Sequence, residues 1–315
     1  MKHVFIIEFK LFGGQQWKLD GLLDSIGQYF RTQEKPNFSV VVSKYPRDAI
    51  RIIQKQWDDT ETIRVYAVGG DGILFDCLNG IVGLPNIELA IMPYGVINNF
   101  IRSFGEGKAE LFMDIQSLIT APVIPTDIIN VGNNYAINGC AVGIVPAAAA
   151  KMRDVNAQFE KGLNRPAAAL WRFWSNFTTV FDHEIAACKY TITIDNDDYS
   201  GQYSLVTIVN GPYFGRKRNA PLRRAVPNDG FLDVMLFKSA GALSTWGSIR
   251  KYYRGKMPSN CVRLQAKKVV IHSDRPMWIQ MDNEYLTDTN ITFEVVPEAV
   301  NVVAVNNLSY QGSQE

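Results

Sequence analysis

Very little in the chain would serve a metal centre or a disulfide framework. Its 315 residues include four cysteines and three histidines. Cys77, Cys140, Cys188 and Cys261 are far apart and form no C-x-x-C pair. This excludes a zinc ribbon or a stapled secreted scaffold and makes a reducing compartment the expectation. His3, His183 and His272 stand in strand-like surroundings and read as structural. An excess of one charge is also missing: 32 Lys+Arg against 31 Asp+Glu leave a formal net charge of +1. Binding of nucleic acid through bulk charge is thereby excluded. No apolar run is long enough to span a bilayer. The first, Val4 to Ile7, is cut by Glu8 and is too short for the apolar core of a signal peptide, so a cytoplasmic location is expected.

What is present is a globular composition, 47% hydrophobic and 20% charged, at a length that points to two domains. The first part alternates strands (His3 to Glu8, Phe38 to Val42) with helical patterns (Leu19 to Phe30, Pro46 to Trp57), the rhythm of a parallel sheet covered by helices. Residues 64–105 then concentrate the chemistry. Val65 to Val68 ends in Gly69-Gly70-Asp71-Gly72, followed by Ile73, Leu74, Cys77, Leu78 and Ile81 at helical spacing. Ile87 to Met92 ends in Pro93-Tyr94-Gly95, followed by Asn98 and Asn99. Two such turns at the carboxyl ends of neighbouring strands face one crevice, where open α/β sheets bind ligands. Glycine lets a run of amides converge there on an anion. GGDG alone is equally a tight turn with Asp71 capping the next helix.

After Thr120 the rhythm changes. Val123 to Val131, Tyr135 to Val145, Ile185 to Ile194 and Tyr203 to Val209 read as strands without intervening helices, which predicts a mainly antiparallel second domain. A helical hairpin is expected over 146–181, its second half rich in Leu170, Trp171, Phe173, Trp174 and Phe177. These residues pack on the β domain, or form a wall of an apolar acyl-chain groove or a membrane-facing edge flanked by Lys161, Arg165 and Arg172. Arg216-Lys217-Arg218 with Arg223-Arg224 reads as a solvated loop or as attraction to an anionic headgroup or bilayer surface. Ile291 to Val296 and Val300 to Val305 read as closing strands, and the polar tail from Ser309 as disordered.

Taken together, these motifs resemble the diacylglycerol kinase-like catalytic domain that bacterial lipid kinases share with sphingosine and ceramide kinases. The first turn of that family is matched by Gly69 to Gly72 and by Asn79-Gly80, the second by Pro93, Gly95, Asn98, Phe100 and Arg102. Asn210-Gly211, Ala220-Pro221 and Asp229-Gly230-Phe231-Leu232-Asp233-Val234 match the second-domain signature in order. NAD kinases and phosphofructokinases also carry GGDG turns, but the later matches favour the lipid-kinase branch. The departures are systematic. Ile73 and Val96 replace threonines and Asn99 an aspartate, Val145 stands where many members have Asp, Asn283 replaces the glycine of an Asp-Gly-Glu, and Glu8-Phe9 replaces Asn-Pro.

The resemblance implies an N-terminal Rossmann-like α/β domain (1–120), a C-terminal antiparallel β-sandwich domain (121–308), a tail (309–315) and an active site in the cleft between the domains. It implies ATP and magnesium, a lipid or amphiphilic alcohol as substrate, and phosphorylation of its hydroxyl. Asp282 is then the general base and Glu284 a magnesium or water partner. Asp71 anchors the glycine turn against the metal–nucleotide complex. Gly69, Gly70, Gly72 and Gly95 form the backbone cradle with Asn98 and Asn99 beside it, and Asp229 holds a structural magnesium. A homodimer and peripheral contact with the inner membrane surface are compatible with this reading, and nucleic acid is not a partner. The alternative is a catalytically impaired relative that binds a lipid or a partner protein, since two lost hydroxyl donors would weaken phosphate binding by roughly 3–6 kcal/mol. A carboxylate at Glu8 would repel a triphosphate unless it points away or holds a cation.

Overall fold

The structure is a computed structural model that describes residues 1–8, 11, 16–95, 97–159, 188–214, 225–239, 241–252 and 254–311. Several sequence readings lie outside the described residues: Phe9 and the glycines of the first loop, Val96, the aromatic half of the hairpin, Ala220-Pro221 and the two basic clusters. The chain forms two compact units. One takes Met1–Ile128, Val226–Gly230 and Val296–Glu315, the other Ile129–Ala225 and Phe231–Val295.

The first unit is built from β1 (Lys2–Ile7), α1 (Gln16–Arg31), β2 (Phe38–Val42), α2 (Asp48–Gln56), β3 (Ile63–Val68), α3 (Asp71–Ile81), β4 (Ile87–Met92) and α4 (Ile115–Thr120). The strands are parallel in the order β2-β1-β3-β4, with Val4 beside Val65 and Val65 beside Leu89. β3 is buried along its whole length, as expected of a sheet covered on both faces. Phe5 stacks on Tyr66 with ring centroids 4.1 Å apart, and the Tyr66 hydroxyl lies 2.8 Å from His3 Nδ1. Arg64, 4% exposed, pairs with Glu88 at 2.6 Å and donates to the carbonyls of Ile119 and Ala121, which closes the end of α4. At Gly80 an added Cβ would lie 2.8 Å from Ile53 Cδ1 and 3.1 Å from Ile50 Cα. Gly80 of the Asn79-Gly80 motif is therefore explained by the close packing of α3 on α2, while Asn79 Nδ2 donates to Phe75 O of its own helix at 2.8 Å.

The second unit comprises the end of β5 (Val123–Val131), β6 (Asn134–Ala136), β7 (Gly139–Gly143), α5 (Ile144–Phe159), β8 (Cys188–Ile194), β9 (Asp197–Asp198), β10 (Gly201–Val209), β11 (Leu232–Lys238), α6 (Ala242–Tyr252), β12 (Cys261–Ala266), β13 (Lys268–Met281) and most of β14 (Glu284–Val303). Its pairings are antiparallel in the order β12-β11-β10-β7-β13-β14. β8 pairs with the outer parts of β10 and β13. Ile144, Leu205, Val209, Met235, Phe237 and Tyr252 form a buried cluster, with Val145 and Ile249 packed against it.

A parallel α/β unit and an antiparallel β-rich unit are thus both present, as the sequence predicts. Several details differ. The sequence reading has consecutive domains, 1–120 and 121–308. The chain instead returns to the first unit, because Asn301 and Val302 pair in parallel with Glu88 and Leu89. The two closing strands are one strand, β14. The strand expected through Val145 ends at Gly143, and the helix begins at once, at Ile144. The tail is docked where it is described. Tyr310 is 8% exposed, lies 4.7 Å from the Phe104 ring, and its hydroxyl meets Thr126 Oγ1 at 2.6 Å. Gln311 N donates to Ser103 O at 2.8 Å. A buried aromatic ring stabilises by roughly 1.5–3 kcal/mol, enough to order a short segment.

Candidate active site

The two glycine turns of the first unit are tied to each other by backbone bonds. Gly95 N donates to Gly69 O at 2.9 Å and Asp71 N to Ile97 O at 3.0 Å. The backbones touch: a Cβ on Gly95 would collide with the Cα and N of Gly70. A Cβ on Gly69 would lie 2.7 Å from both Glu8 Oε2 and Ile73 Cγ2. Glycine at these positions is thus dictated by close approach. Gly70 is the N-cap of α3, whose first amides have no partner within the helix and suit an anion.

Side chains reinforce the lock. Asp71 accepts from Asn99 N at 2.9 and 3.1 Å and from Asn99 Nδ2 at 2.9 Å. An aspartate at 99 would set two carboxylates together, whereas the amide donates. Asn98 Nδ2 donates to Gly95 O at 2.6 Å. Gly69, Gly70, Asp71, Gly72, Gly95, Asn98 and Asn99 are therefore brought together. Asp71 and both asparagines are engaged in shaping the turns.

Glu8 answers the question its sequence position raises. Its carboxylate points into the turn, and Oε2 accepts from Gly70 N at 3.2 Å. One amide of the expected phosphate cradle is thus bound to a carboxylate of the chain itself. Ile73, in the place of a threonine, is 3% exposed and packs against Gly69.

In the second unit, Asp282 sits in the turn between β13 and β14 and is 9% exposed. It adopts φ 46°, so the left-handed residue is Asp282 and not Asn283, where the sequence places it. Oδ1 accepts from Asn138 N at 3.1 Å and Gly139 N at 2.9 Å, and Oδ2 from Ile137 N at 2.9 Å. Burial raises its pKa to about 6 against the lowering effect of these amides. A carboxylate offers about four acceptor positions, which leaves one beyond these three bonds. Glu284, the first residue of β14, is half-buried. Asn210 holds the same loop from the other side. Its Nδ2 donates to Ile137 O at 2.9 Å and its N to Asn138 O at 2.9 Å. The 137–139 loop carries no sequence signal of its own. Only Asn210-Gly211 could have pointed to it.

Asp229 lies in an exposed turn of the first unit. The turn is held by Asp127, 1% exposed, which accepts from Gly230 N at 2.7 Å and from Glu298 N at 2.8 Å. Asp233 of the same motif pairs with Arg263 at 2.6 Å. Among the described residues there is no group of three His, Cys, Asp or Glu side chains that could hold a metal. A magnesium held at Asp229 would take its remaining ligands from other oxygens such as backbone carbonyls and water, the usual ligand set of that ion. Asp127 was missed by sequence reasoning because a lone aspartate within a strand gives no signal.

Residues 10–131 match the family model described as the diacylglycerol kinase catalytic domain, and residues 173–304 the model described as the YegS C-terminal NAD kinase beta sandwich-like domain. Among curated relatives, the chain is 26% identical over 281 residues to a "Putative lipid kinase" of Staphylococcus aureus (strain MRSA252), covering 86% of this chain and 88% of that one. It is 27% identical over 250 residues to one from strain JH9, covering 78% of each. A solved structure titled as a "putative diacylglycerol kinase" of Bacillus anthracis str. Sterne superposes with a TM-score of 0.72 at 20% identity over 98% of both chains. That likeness concerns the fold.

Proposed function

For a chain that belongs to the diacylglycerol kinase-like family, we propose transfer of the terminal phosphoryl group of ATP to the hydroxyl of a lipid alcohol such as diacylglycerol or a sphingoid base. The observation that carries this reading is the interlocked pair of turns, with Gly70 and Gly95 in backbone contact at the carboxyl ends of β3 and β4. The N-terminus of α3 begins at this pair of turns, with Asp71 N held by Ile97 O and Gly70 N by the Glu8 carboxylate.

Phosphoryl transfer asks a protein mainly for positioning and for charge stabilisation. The turn amides bind the phosphates of the nucleotide, which enters as its magnesium complex. The lipid hydroxyl oxygen attacks the γ-phosphorus, the bond from that phosphorus to the β,γ-bridging oxygen breaks, and ADP departs. The hydroxyl proton passes to Asp282, which has one acceptor position left and a pKa near 6, suited to a base at neutral pH. The amides of 137–139 hold its carboxylate in orientation. The test is labelled ATP with magnesium and a panel of lipid alcohols in mixed micelles. Transfer to one of them, abolished in Asp282→Asn, is expected. Protein that binds ATP and transfers nothing to any of them would overturn the assignment.

Glu8 favours a second reading, a non-catalytic lipid-binding relative. A carboxylate on Gly70 N competes with phosphate for the same donor, and the nucleotide must displace it. No measurable ATP binding even in Glu8→Gln would support that reading over the kinase.

A further inference from the structure

The outward face of α6 breaks the rule for a surface helix. Thr245, Ser248 and Tyr252 are buried, and the Tyr252 ring meets Phe237 edge-on at 5.2 Å. Opposite them, at spacings of three and four residues, Leu243, Trp246 and Arg250 share one stripe. A stripe turned away from the core should be polar, yet Leu243 is 79% exposed and Trp246 39%. Met257, just past the helix, is 46% exposed. Single exposed apolar residues are ordinary, but here three accompany charge of one sign. Arg250 and Lys251 end the helix and Lys256 follows, all exposed. Between Phe237 and Cys261 the chain has five lysines and arginines and no acidic residue, although the whole chain is nearly neutral.

We propose that the outward face of α6 and the turn after it dock on the surface of an anionic lipid bilayer, with Leu243 and Trp246 entering the headgroup–acyl boundary and the basic residues facing lipid phosphates. An aromatic ring and a leucine beside cations suit that boundary, where apolar burial and attraction to anionic lipid act together. An acidic protein partner would match the charges, but it would leave no reason for a leucine that is 79% exposed.

The test is co-sedimentation of the full chain, without nucleotide, with vesicles of phosphatidylcholine alone or mixed with phosphatidylglycerol. Because no ATP is present, the result does not depend on the kinase reading. Binding to the mixed vesicles and not to the neutral ones is expected. Arg250→Glu/Lys251→Glu should lower partitioning at least roughly twentyfold, since each basic residue near an anionic surface contributes about fivefold. Leu243→Asp should lower it by a similar factor while the melting temperature stays unchanged, because the side chain is exposed. Binding that survives both variants, no binding to anionic vesicles, or a dimer in solution that Leu243→Asp dissociates would overturn the proposal.

Discussion

Asp282 and Glu8 each accept hydrogen bonds from backbone N–H groups of a glycine-containing turn, but the two arrangements differ in what they leave free. Asp282 takes three amides and is nearly enclosed, so it belongs to the framework of the second unit. Glu8 takes one amide at 3.2 Å and is half-buried. A single long bond to an amide at a helix N-terminus is one that another anion can replace. The comparison separates a carboxylate that builds a site from one that occupies it.

The largest expected effect tests the first half of that contrast. Asp282→Ala leaves three buried amides without an acceptor and should destabilise the chain by about 3–5 kcal/mol in urea unfolding. A loss under 1 kcal/mol would break the comparison. Acid should then act on the two units with opposite sign. Burial, Arg64 and the amino terminus lower the pKa of His3 from 6.5 to about 4. The unfolded state binds the extra proton in that window, so stability falls as pH drops from 6.5 towards 4, by at most about 3 kcal/mol. Asp282 has its pKa raised from 3.8 to about 6, so the folded state holds the proton and its contribution falls as pH rises through that range. His3→Gln should flatten the first slope and Asp282→Asn the second in unfolding measured across this pH range.

Gly95→Ala forces the two turns of the first unit apart and should cost about 1–3 kcal/mol, with loss of ATP binding. Gly83→Ala, with nothing within 4 Å of the added Cβ but with φ at 83°, should cost about 1 kcal/mol of stability and leave ATP binding unchanged. The smallest effect is expected from Tyr310→Phe. It removes the bond to Thr126 but keeps the ring packing, a loss of about 1 kcal/mol. Nucleotide affinity should not change, since this anchor of the first unit is independent of Glu8.

The sequence made the parallel unit legible because its strands end in glycine turns whose close backbone approach no other residue permits. Asp71 with Asn98 and Asn99 was legible as a group for the same reason. The replacement of aspartate by Asn99 read as a lost charge, yet its amide is the donor that Asp71 needs. The direction of the Glu8 carboxylate was open because local pattern does not say which way a strand-end side chain turns. The Asp282 clamp depends on residues well over a hundred positions away, and Asp127 likewise bonds Glu298 across the chain. Such bonds leave no periodicity. Tyr310 looked like part of a polar tail because one aromatic residue among polar neighbours gives little local signal.

The central claim is that Glu8 holds an amide that a nucleotide phosphate requires. The most direct measurement is calorimetric titration of the wild-type chain and Glu8→Gln with ATP and magnesium. Removing a negative charge that competes for the same amide should strengthen binding roughly fivefold or more, the order of one unit-charge repulsion at short range in water. Weaker binding in Glu8→Gln would contradict the claim and make the carboxylate a holder of the incoming cation.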